Sequence, residues 1–168
     1  MAPALLTMAE HLTRGHILQK SVIVGSAALV LSLYAASAAG TLWLPVVGTV
    51  ASGYGWRNDP FGEGWKHHWG LDIAARHGAP VAACAAGRVG YAGWAGGYGL
   101  VVVLAHEHDL QTLYAHLGTI RVDAGETVRG GQIIGTVGST GRSTGPHLHF
   151  EVRHRNVPVD PIPYLRVR

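Results

Sequence analysis

Apolar and polar positions divide this chain into two regions with different patterns. Residues 21–40, SVIVGSAALVLSLYAASAAG, form one long apolar run, and no charged residue occurs from Ser21 to Trp56. After Gly40 the apolar positions occur in short runs, such as GLVVVLAHE, QTLYAHL and HLHFEV, which Gly, Pro, Asn and Asp separate. Each run has the length of a β-strand, and none has sustained helical spacing. The pattern predicts an all-β domain after the apolar run.

The strand-length runs also predict one specific hairpin. Residues 100–104, LVVVL, suit a central strand that is covered on both faces. A polar turn at residues 106–109, HEHD, follows it, and the run QTLYAHL then returns. We expect these two runs to pair as antiparallel neighbours.

The long apolar run predicts an export signal or a membrane anchor. Residues 1–20 carry two basic residues against one acidic residue and read as a short cytoplasmic segment. Residues 21–40 are long enough to cross a bilayer as a helix, and Ala36-Ser37-Ala38 would suit a signal peptidase. Cleavage and retention as an anchor both stay open. Either way, we expect residues 41–168 to be exported, to the periplasm or, in a thick-walled cell, to the cell surface.

Composition narrows the class of protein further. A chain of 168 residues suits one domain with a sizeable core. The formal charge of +3 comes from scattered basic residues without an interleaved aromatic stripe, which argues against nucleic acid as a partner. Cys84 is the only cysteine and sits among small apolar residues, so we expect a buried free thiol.

Two histidines in the run GPHLHFEV are the first candidates for chemistry. Alternate residues of a strand point to the same face, so His147 and His149 project together while Leu148 and Phe150 pack on the other side. One partly buried histidine is usually structural, but two on one strand face need partners.

The segment His68-Trp69-Gly70-Leu71-Asp72 offers those partners. The glycine disfavours a helix, and on a strand His68 and Asp72 would share a face. Two histidines and one carboxylate form a common catalytic zinc set, with the fourth position left to water. We therefore predict that His68, Asp72 and His149 bind one Zn²⁺ ion.

Two further histidines have no ligand role in this prediction. His147 shares a strand face with His149, and His116 lies in the run LYAHL. A neutral imidazole near zinc-activated water can accept its proton, and a second imidazole can stabilise the oxyanion that forms at a carbonyl. We predict that His116 and His147 are catalytic, and which of them has which role stays open.

These motifs together resemble a known family. His68-x-Gly-x-Asp72, Tyr114-Ala-His116 and His147-Leu-His149-Phe-Glu resemble, in order and separation, the motifs of the lysostaphin-like, LytM-type zinc endopeptidases of bacterial cell walls. The resemblance extends over residues 44–165. It implies a small antiparallel β-sheet or sandwich-like domain with a loop-lined groove, the same three zinc ligands, two assisting histidines, and a peptide cross-link or bridge of peptidoglycan as substrate.

Four other residues are candidates for the walls of that groove. Arg57 and Asn58 occupy a turn before the first ligand segment, where the resemblance suggests a role in shaping the site or facing the substrate. Tyr98 and Tyr114 could line the groove or donate to an oxyanion, although an aromatic residue on a strand more often packs in the core.

Two functions fit this resemblance. The first is a zinc endopeptidase that hydrolyses peptidoglycan cross-links. The second is a non-catalytic wall-binding activator of a cell-wall amidase, because several family members lack ligands and act in that way. All five histidine and aspartate positions are filled here, which favours the enzyme. The expected partners are peptidoglycan, the membrane if residues 21–40 are not cleaved, and an unidentified wall hydrolase or cell-division protein.

Overall fold

The computed structural model describes residues 42–166. The predicted cytoplasmic segment, 1–20, and the predicted signal or anchor, 21–40, lie outside the described residues, and their assignment stays a prediction. Residues 42–166 contain no helix with the length and hydrophobicity of a membrane span.

Strands and two short 3-10 helices make up the regular structure of the described part of the chain, so the all-β prediction is confirmed there. The strands are β1 (Leu42–Trp43), β2 (Thr49–Ser52), β3 (Gly55–Asn58), β4 (Trp65–His68), β5 (Leu71–Ala74), β6 (Pro80–Ala82), β7 (Gly87–Trp94), β8 (Leu100–Ala105), β9 (Leu110–Ile120), β10 (Thr127–Val128), β11 (Ile133–Val137), β12 (His147–His154), β13 (Val157–Val159) and β14 (Leu165–Arg166), and the 3-10 helices span Gly96–Tyr98 and Ile162–Tyr164.

Ten of these strands form one antiparallel sheet. Its main path has the order β10-β7-β8-β9-β12-β5-β2, while β13 pairs with β12 and β11 links β6 to β9. A separate hairpin joins β3 to β4, and a short parallel pair joins β1 to β14. The three central strands, β8, β9 and β12, carry much of the buried core.

The hairpin predicted between residues 100 and 117 is confirmed. Strand β8 pairs antiparallel with β9, and Val103 lies opposite Leu113. His108 and Asp109 in the connecting turn both have positive φ, 58° and 57°, as the tightest hairpin turns require. Cys84 is fully buried, as its neighbours predicted.

Strand β9 changes partner halfway along its length, at His116. Up to Ala115 it pairs with β12, and from Leu117 onward it pairs with β11. On its other edge the register with β8 shifts by one residue in the same place, which marks a β-bulge. His116 has a φ of 57°, rare for a residue with a side chain. Bulges re-aim side chains, and this one removes His116 from the regular alternation of β9.

A close approach between two loops supports this bulge. Gly99, just before β8, has a φ of 68°, and a Cβ there would lie 2.4 Å from the backbone carbon of Thr140. The Thr140 hydroxyl in turn donates to the backbone oxygen of Leu117, next to the bulge. The glycine therefore allows the loop before β12 to pack against the bulged part of β9.

We predict that Gly99→Ala destabilises the protein far more than Gly62→Ala does. Both glycines have positive φ, so each alanine adds about 1 kcal/mol of backbone strain. The space around Gly62 is open, whereas Gly99 meets the Thr140 backbone, whose displacement adds about 1–3 kcal/mol. Urea unfolding measures both losses, and equal losses would show that the close approach is not present in solution.

Candidate functional site

Three buried side chains bring their donor atoms to one point. His68 Nε2 lies 3.0 Å from Asp72 Oδ1 and 3.0 Å from His149 Nδ1, and these last two atoms are 2.9 Å apart. The three residues come from the end of β4, from β5 and from β12. Among the described residues they form the group that could hold a metal ion. The structure thus brings together the three residues predicted as ligands.

Backbone pairing places two of these side chains. Asp72 on β5 lies directly opposite His149 on β12 in the antiparallel ladder. The expectation that His68 and Asp72 share one strand is wrong, because His68 ends the β3–β4 hairpin and the chain then enters the main sheet at β5. Their proximity comes from a change of direction between two strands.

Gly70 makes that change of direction possible. A Cβ on this residue would lie 2.4 Å from the backbone oxygen of Phe150 and 3.0 Å from the Glu151 side chain. Any side chain would therefore push β12 away. The glycine between the two ligands has a steric function, since it lets the crossover pass directly against the strand that carries His149.

Each candidate ligand also has a second polar atom, directed away from the metal position, that contacts another group of the protein. His68 Nδ1 lies 2.6 Å from the backbone oxygen of Gly53, so Nδ1 carries the proton and Nε2 presents its lone pair. His149 Nε2 donates to Glu151 Oε1 at 3.0 Å, which leaves the Nδ1 lone pair. Asp72 Oδ2 accepts from the guanidinium of Arg57 at 3.0 Å. Three electron-pair donors therefore face one another.

This donor set suits a divalent cation. Ligand atoms of a tetrahedral zinc site, with bonds of roughly 2.0–2.1 Å, lie about 3.3 Å apart, close to the spacing seen here. In the metal-free protein, burial by itself would raise the pKa of Asp72, but its contacts with His149 and His68 hold that pKa well below its usual range. Burial would lower the pKa of His149, but Asp72 and Glu151 raise it instead. The carboxylate stays ionised, and with both imidazoles in their neutral, ligating form the donor set carries one negative charge.

His116 and His147 stand next to this donor set. Their rings are 4.7 Å apart, and His147 Nε2 lies 3.6 Å from Asp72 Oδ1. Each Nδ1 lies 2.8 Å from a backbone oxygen, that of Thr140 for His116 and that of Gly145 for His147. A carbonyl can only accept, so Nδ1 carries the proton and the lone pair of each Nε2 is available.

Burial is the main cause of an unusual pKa at His116. Desolvation of the charged ring, with smaller contributions from His147 and His149, lowers its pKa to about 4. The His116 ring is therefore neutral at pH 7.

All five of these residues line an open cleft of about 630 Å³. One wall is the β3–β4 loop and the other is the loop before β12. Arg142 connects the two walls, since it forms ion pairs with Asp59 and Glu63, both at 3.0 Å, and lies 4.3 Å over the Phe61 ring. The cleft is open to solvent, and its rim is held by charge pairs.

Two of the four predicted groove residues lie in the cleft. Arg57 holds the Asp72 carboxylate and also donates to the Ser52 hydroxyl at 2.7 Å. Tyr98 lines the cleft, and its hydroxyl donates to Glu151 at 2.6 Å. Asn58 does not line the cleft, because it is exposed and alternates with Arg57 to the opposite face of β3.

Tyr114 does not line the cleft either, and this prediction is wrong. Its side chain is fully buried, and its hydroxyl bonds to the backbone N–H and the sulfur of Cys84. In a regular strand Tyr114 and His116 would share a face. The bulge inserts one extra residue between Tyr114 and Leu117, so His116 faces the cleft while Tyr114 faces the core.

Four groups that hold the site were not predicted from the sequence. They are the backbone oxygens of Gly53, Thr140 and Gly145 and the side chain of Glu151. Backbone contacts across the chain leave no sequence signal. Glu151 does have one, because it lies two residues after His149 on the same face of the strand.

The fold and the site together define a β-sheet domain with an open cleft that contains a candidate metal site. The sequence model of peptidase family M23 matches residues 66–161, which is more than half of the chain. The chain therefore belongs to this family. The family match confirms the resemblance to LytM-type, lysostaphin-like proteins that the motifs indicated.

Three similar proteins illustrate the family. DD-carboxypeptidase/endopeptidase Mpg of Neisseria meningitidis is 48% identical over 119 residues, which cover 70% of this chain and 27% of that protein. Murein hydrolase activator NlpD of Salmonella typhimurium is 42% identical over 109 residues, covering 64% of this chain and 29% of that protein. A zinc containing peptidase from Vibrio cholerae superposes with a TM-score of 0.67 at 38% identity, over 72% of this chain and 39% of that one. The chain thus matches less than a third of the length of these curated relatives.

We predict that Gly70→Ala weakens zinc binding at least about tenfold, because β5 and β12 must separate by about 0.5 Å or more to admit the methyl group. Competition with a chelator of known affinity measures the loss. Gly90→Ala is the matched control, since a Cβ there meets its nearest atom at 3.8 Å and should leave binding unchanged. Unaltered affinity in a folded Gly70→Ala protein would contradict the steric explanation.

A second prediction concerns acid stability of the metal-free protein. Because the pKa of His116 is about 4 when folded and near 6.5 when unfolded, the unfolded chain binds more protons between these values. The free energy of unfolding should therefore fall as the pH drops through this window, and His116 should account for about 2 kcal/mol of the fall near pH 5.

The matched variant for this test is His116→Asn. Asparagine tolerates positive φ and can donate to Thr140, but it does not titrate. Urea unfolding from pH 7 to pH 4.5, with a chelator present, should show a shallower fall for the variant. Parallel curves would show that His116 is not buried as the structure describes.

Proposed function

We propose that this chain is a zinc-dependent endopeptidase that hydrolyses peptide cross-links or bridges of bacterial peptidoglycan. One observation carries the proposal: a buried His-Asp-His donor set shares an open cleft with two more imidazoles whose Nε2 lone pairs are available. A site that only held a structural metal would need no such imidazoles and would not be open to solvent.

Zinc is the metal that best suits the donor set. Imidazole nitrogens favour zinc over magnesium or calcium, which prefer cages of oxygen ligands. His68, Asp72 and His149 would hold the ion. When bound, zinc supplies Lewis acidity, which activates water as a nucleophile at neutral pH and polarises a carbonyl oxygen.

His116 and His147 would handle the protons of the reaction. Hydrolysis of a peptide bond removes a proton from the attacking water and returns one to the leaving amine. The Nε2 lone pairs of both rings are available for this, and Nδ1 of each ring is anchored to a backbone carbonyl. One ring would accept the proton at Nε2, while the other, when it carries a proton on Nε2, would donate to the developing oxyanion.

The cleft suits a peptide substrate. It is open at the surface, and its two walls are loops, so an extended chain could lie across the metal site. Peptidoglycan is supported as the source of that peptide by the names of the relatives, a DD-carboxypeptidase/endopeptidase and a murein hydrolase activator. Export past the membrane, as residues 21–40 predict, would bring the domain to this substrate.

A second function has one observation in its favour. The similarity to murein hydrolase activator NlpD supports a non-catalytic role in which the domain binds the wall and activates a separate hydrolase. All five positions of the proposed site are present here, which favours the enzyme.

Digestion of purified sacculi tests the proposal. The zinc-loaded full-length protein, in mild detergent, should release fragments with new peptide ends inside cross-links, which mass spectrometry identifies. Asp72→Ala and His149→Ala should lose both zinc and cleavage. His116→Ala should keep zinc and lose turnover by at least about 10²-fold, the usual contribution of a general acid or base.

The outcomes separate the two functions. New ends that are absent from the Asp72→Ala digest support the endopeptidase and identify its bond. A folded, zinc-bound protein that cuts no sacculi, but stimulates a wall amidase, would replace it with the activator. A zinc-free His116→Ala protein would contradict the proposed division between ligands and catalytic residues.

A further inference from the structure

Glu151 is a buried carboxylate in the central strand β12. Its side chain is fully shielded from solvent, although it lies only two residues after His149. A buried acidic residue requires hydrogen-bonding or charged partners, because an unpaired carboxylate in a protein interior is strongly destabilising. The hydrogen-bond donors around Glu151 should therefore indicate its structural role.

Three donors surround this carboxylate. Oε1 accepts from His149 Nε2 at 3.0 Å and from the Tyr98 hydroxyl at 2.6 Å. Oε2 accepts from Arg153 Nε at 2.7 Å. Burial of the Tyr98 hydroxyl, together with the adjacent carboxylate, raises its pKa to about 12, so Tyr98 remains a donor at neutral pH. The carboxylate thus has a fixed position and a fixed role as acceptor.

That position determines which nitrogen of His149 carries the proton. The imidazole donates from Nε2 to Glu151, so its other nitrogen, Nδ1, presents a lone pair 2.9 Å from Asp72 Oδ1 and 3.0 Å from His68 Nε2. A ring with its proton on Nδ1 would direct N–H toward the metal position. Glu151 also fixes the plane of the ring, because a hydrogen bond at Nε2 limits rotation about the side-chain axis.

We propose that Glu151 is a positioning residue for the metal site, acting through His149, with Tyr98 and Arg153 holding Glu151 in place. The inference rests on the proposed function for its metal. Glu151 does not reach the metal position itself. It selects the tautomer of one proposed ligand, His149. Tyr98, in the wall of the cleft, holds Glu151 in place by donating a hydrogen bond to it.

Glu151→Gln tests this inference through metal affinity rather than turnover. The amide has the shape of the carboxylate but no charge, and its one oxygen cannot accept from both His149 and Arg153, which the two carboxylate oxygens do. Loss of such a partner weakens metal binding by about 10–100-fold. Competition with a chelator on the full-length protein measures the zinc dissociation constant. Glu107→Gln is the control, because this glutamate is exposed in the β8–β9 turn and should leave zinc affinity unchanged.

Glu151→Asp provides a second variant in case the neutral side chain prevents folding. Aspartate keeps the charge beside Arg153 but retracts the carboxylate from His149, so zinc affinity should again fall by about 10–100-fold. A folded variant of either kind with wild-type zinc affinity would overturn the inference.

A measurement on the unmutated protein does not depend on either variant. In the zinc-loaded wild type, a long-range proton–nitrogen NMR spectrum should show the His149 proton on Nε2, slow to exchange with solvent. A proton on Nδ1 would overturn the inference. Zinc affinity is read before any digestion, so a wild type that binds zinc but cuts no sacculi would refute the proposed catalysis and leave this inference standing.

Discussion

Antiparallel pairing between β5 and β12 is the interaction on which the rest of the site depends. It sets Asp72 opposite His149 and leaves His147 on the same face of β12, next to the cleft. The opposite face carries Leu148 and Phe150, both fully buried. A slip of one residue would exchange the faces and bury the imidazoles in the core. The hydrophobic core therefore enforces the register that the site requires.

The site is held by a second layer of contacts, and each proposed ligand has one. Gly53 fixes His68, Arg57 fixes Asp72 and Glu151 fixes His149. Such contacts reduce the freedom of the ligands before a metal binds, so less ordering remains at the moment of binding. The three proposed ligands come from strands, which are more rigid supports than loops. The loops instead form the walls of the cleft, where Arg142 links them through ion pairs.

Several features could be predicted from the sequence because they depend on residue types at fixed spacing. The alternation in GPHLHFEV placed His147 and His149 on one face, and short apolar runs between turn residues indicated strands. Tyr114 and Asn58 were misplaced for a different reason. Tyr114 was a candidate for the groove with core packing as its alternative, and the bulge beside it sends His116 alone to the cleft. Asn58 lies on the exposed face of the β3–β4 hairpin. Bulges and hairpin orientation depend on contacts with distant strands, and local pattern does not record them.

Residue patterns were enough to predict the all-β class, the five residues that meet in the cleft and the family of the chain, because periodicity and motif spacing can be read without the fold. How those residues meet depends on the folded sheet. Tertiary structure placed His68 and Asp72 on different strands, made Gly70 a point of close approach, put His116 at the fork between β11 and β12, and surrounded Glu151 with donors. Each of these depends on segments far apart in the chain, and only packing of the folded sheet brings them within hydrogen-bonding distance.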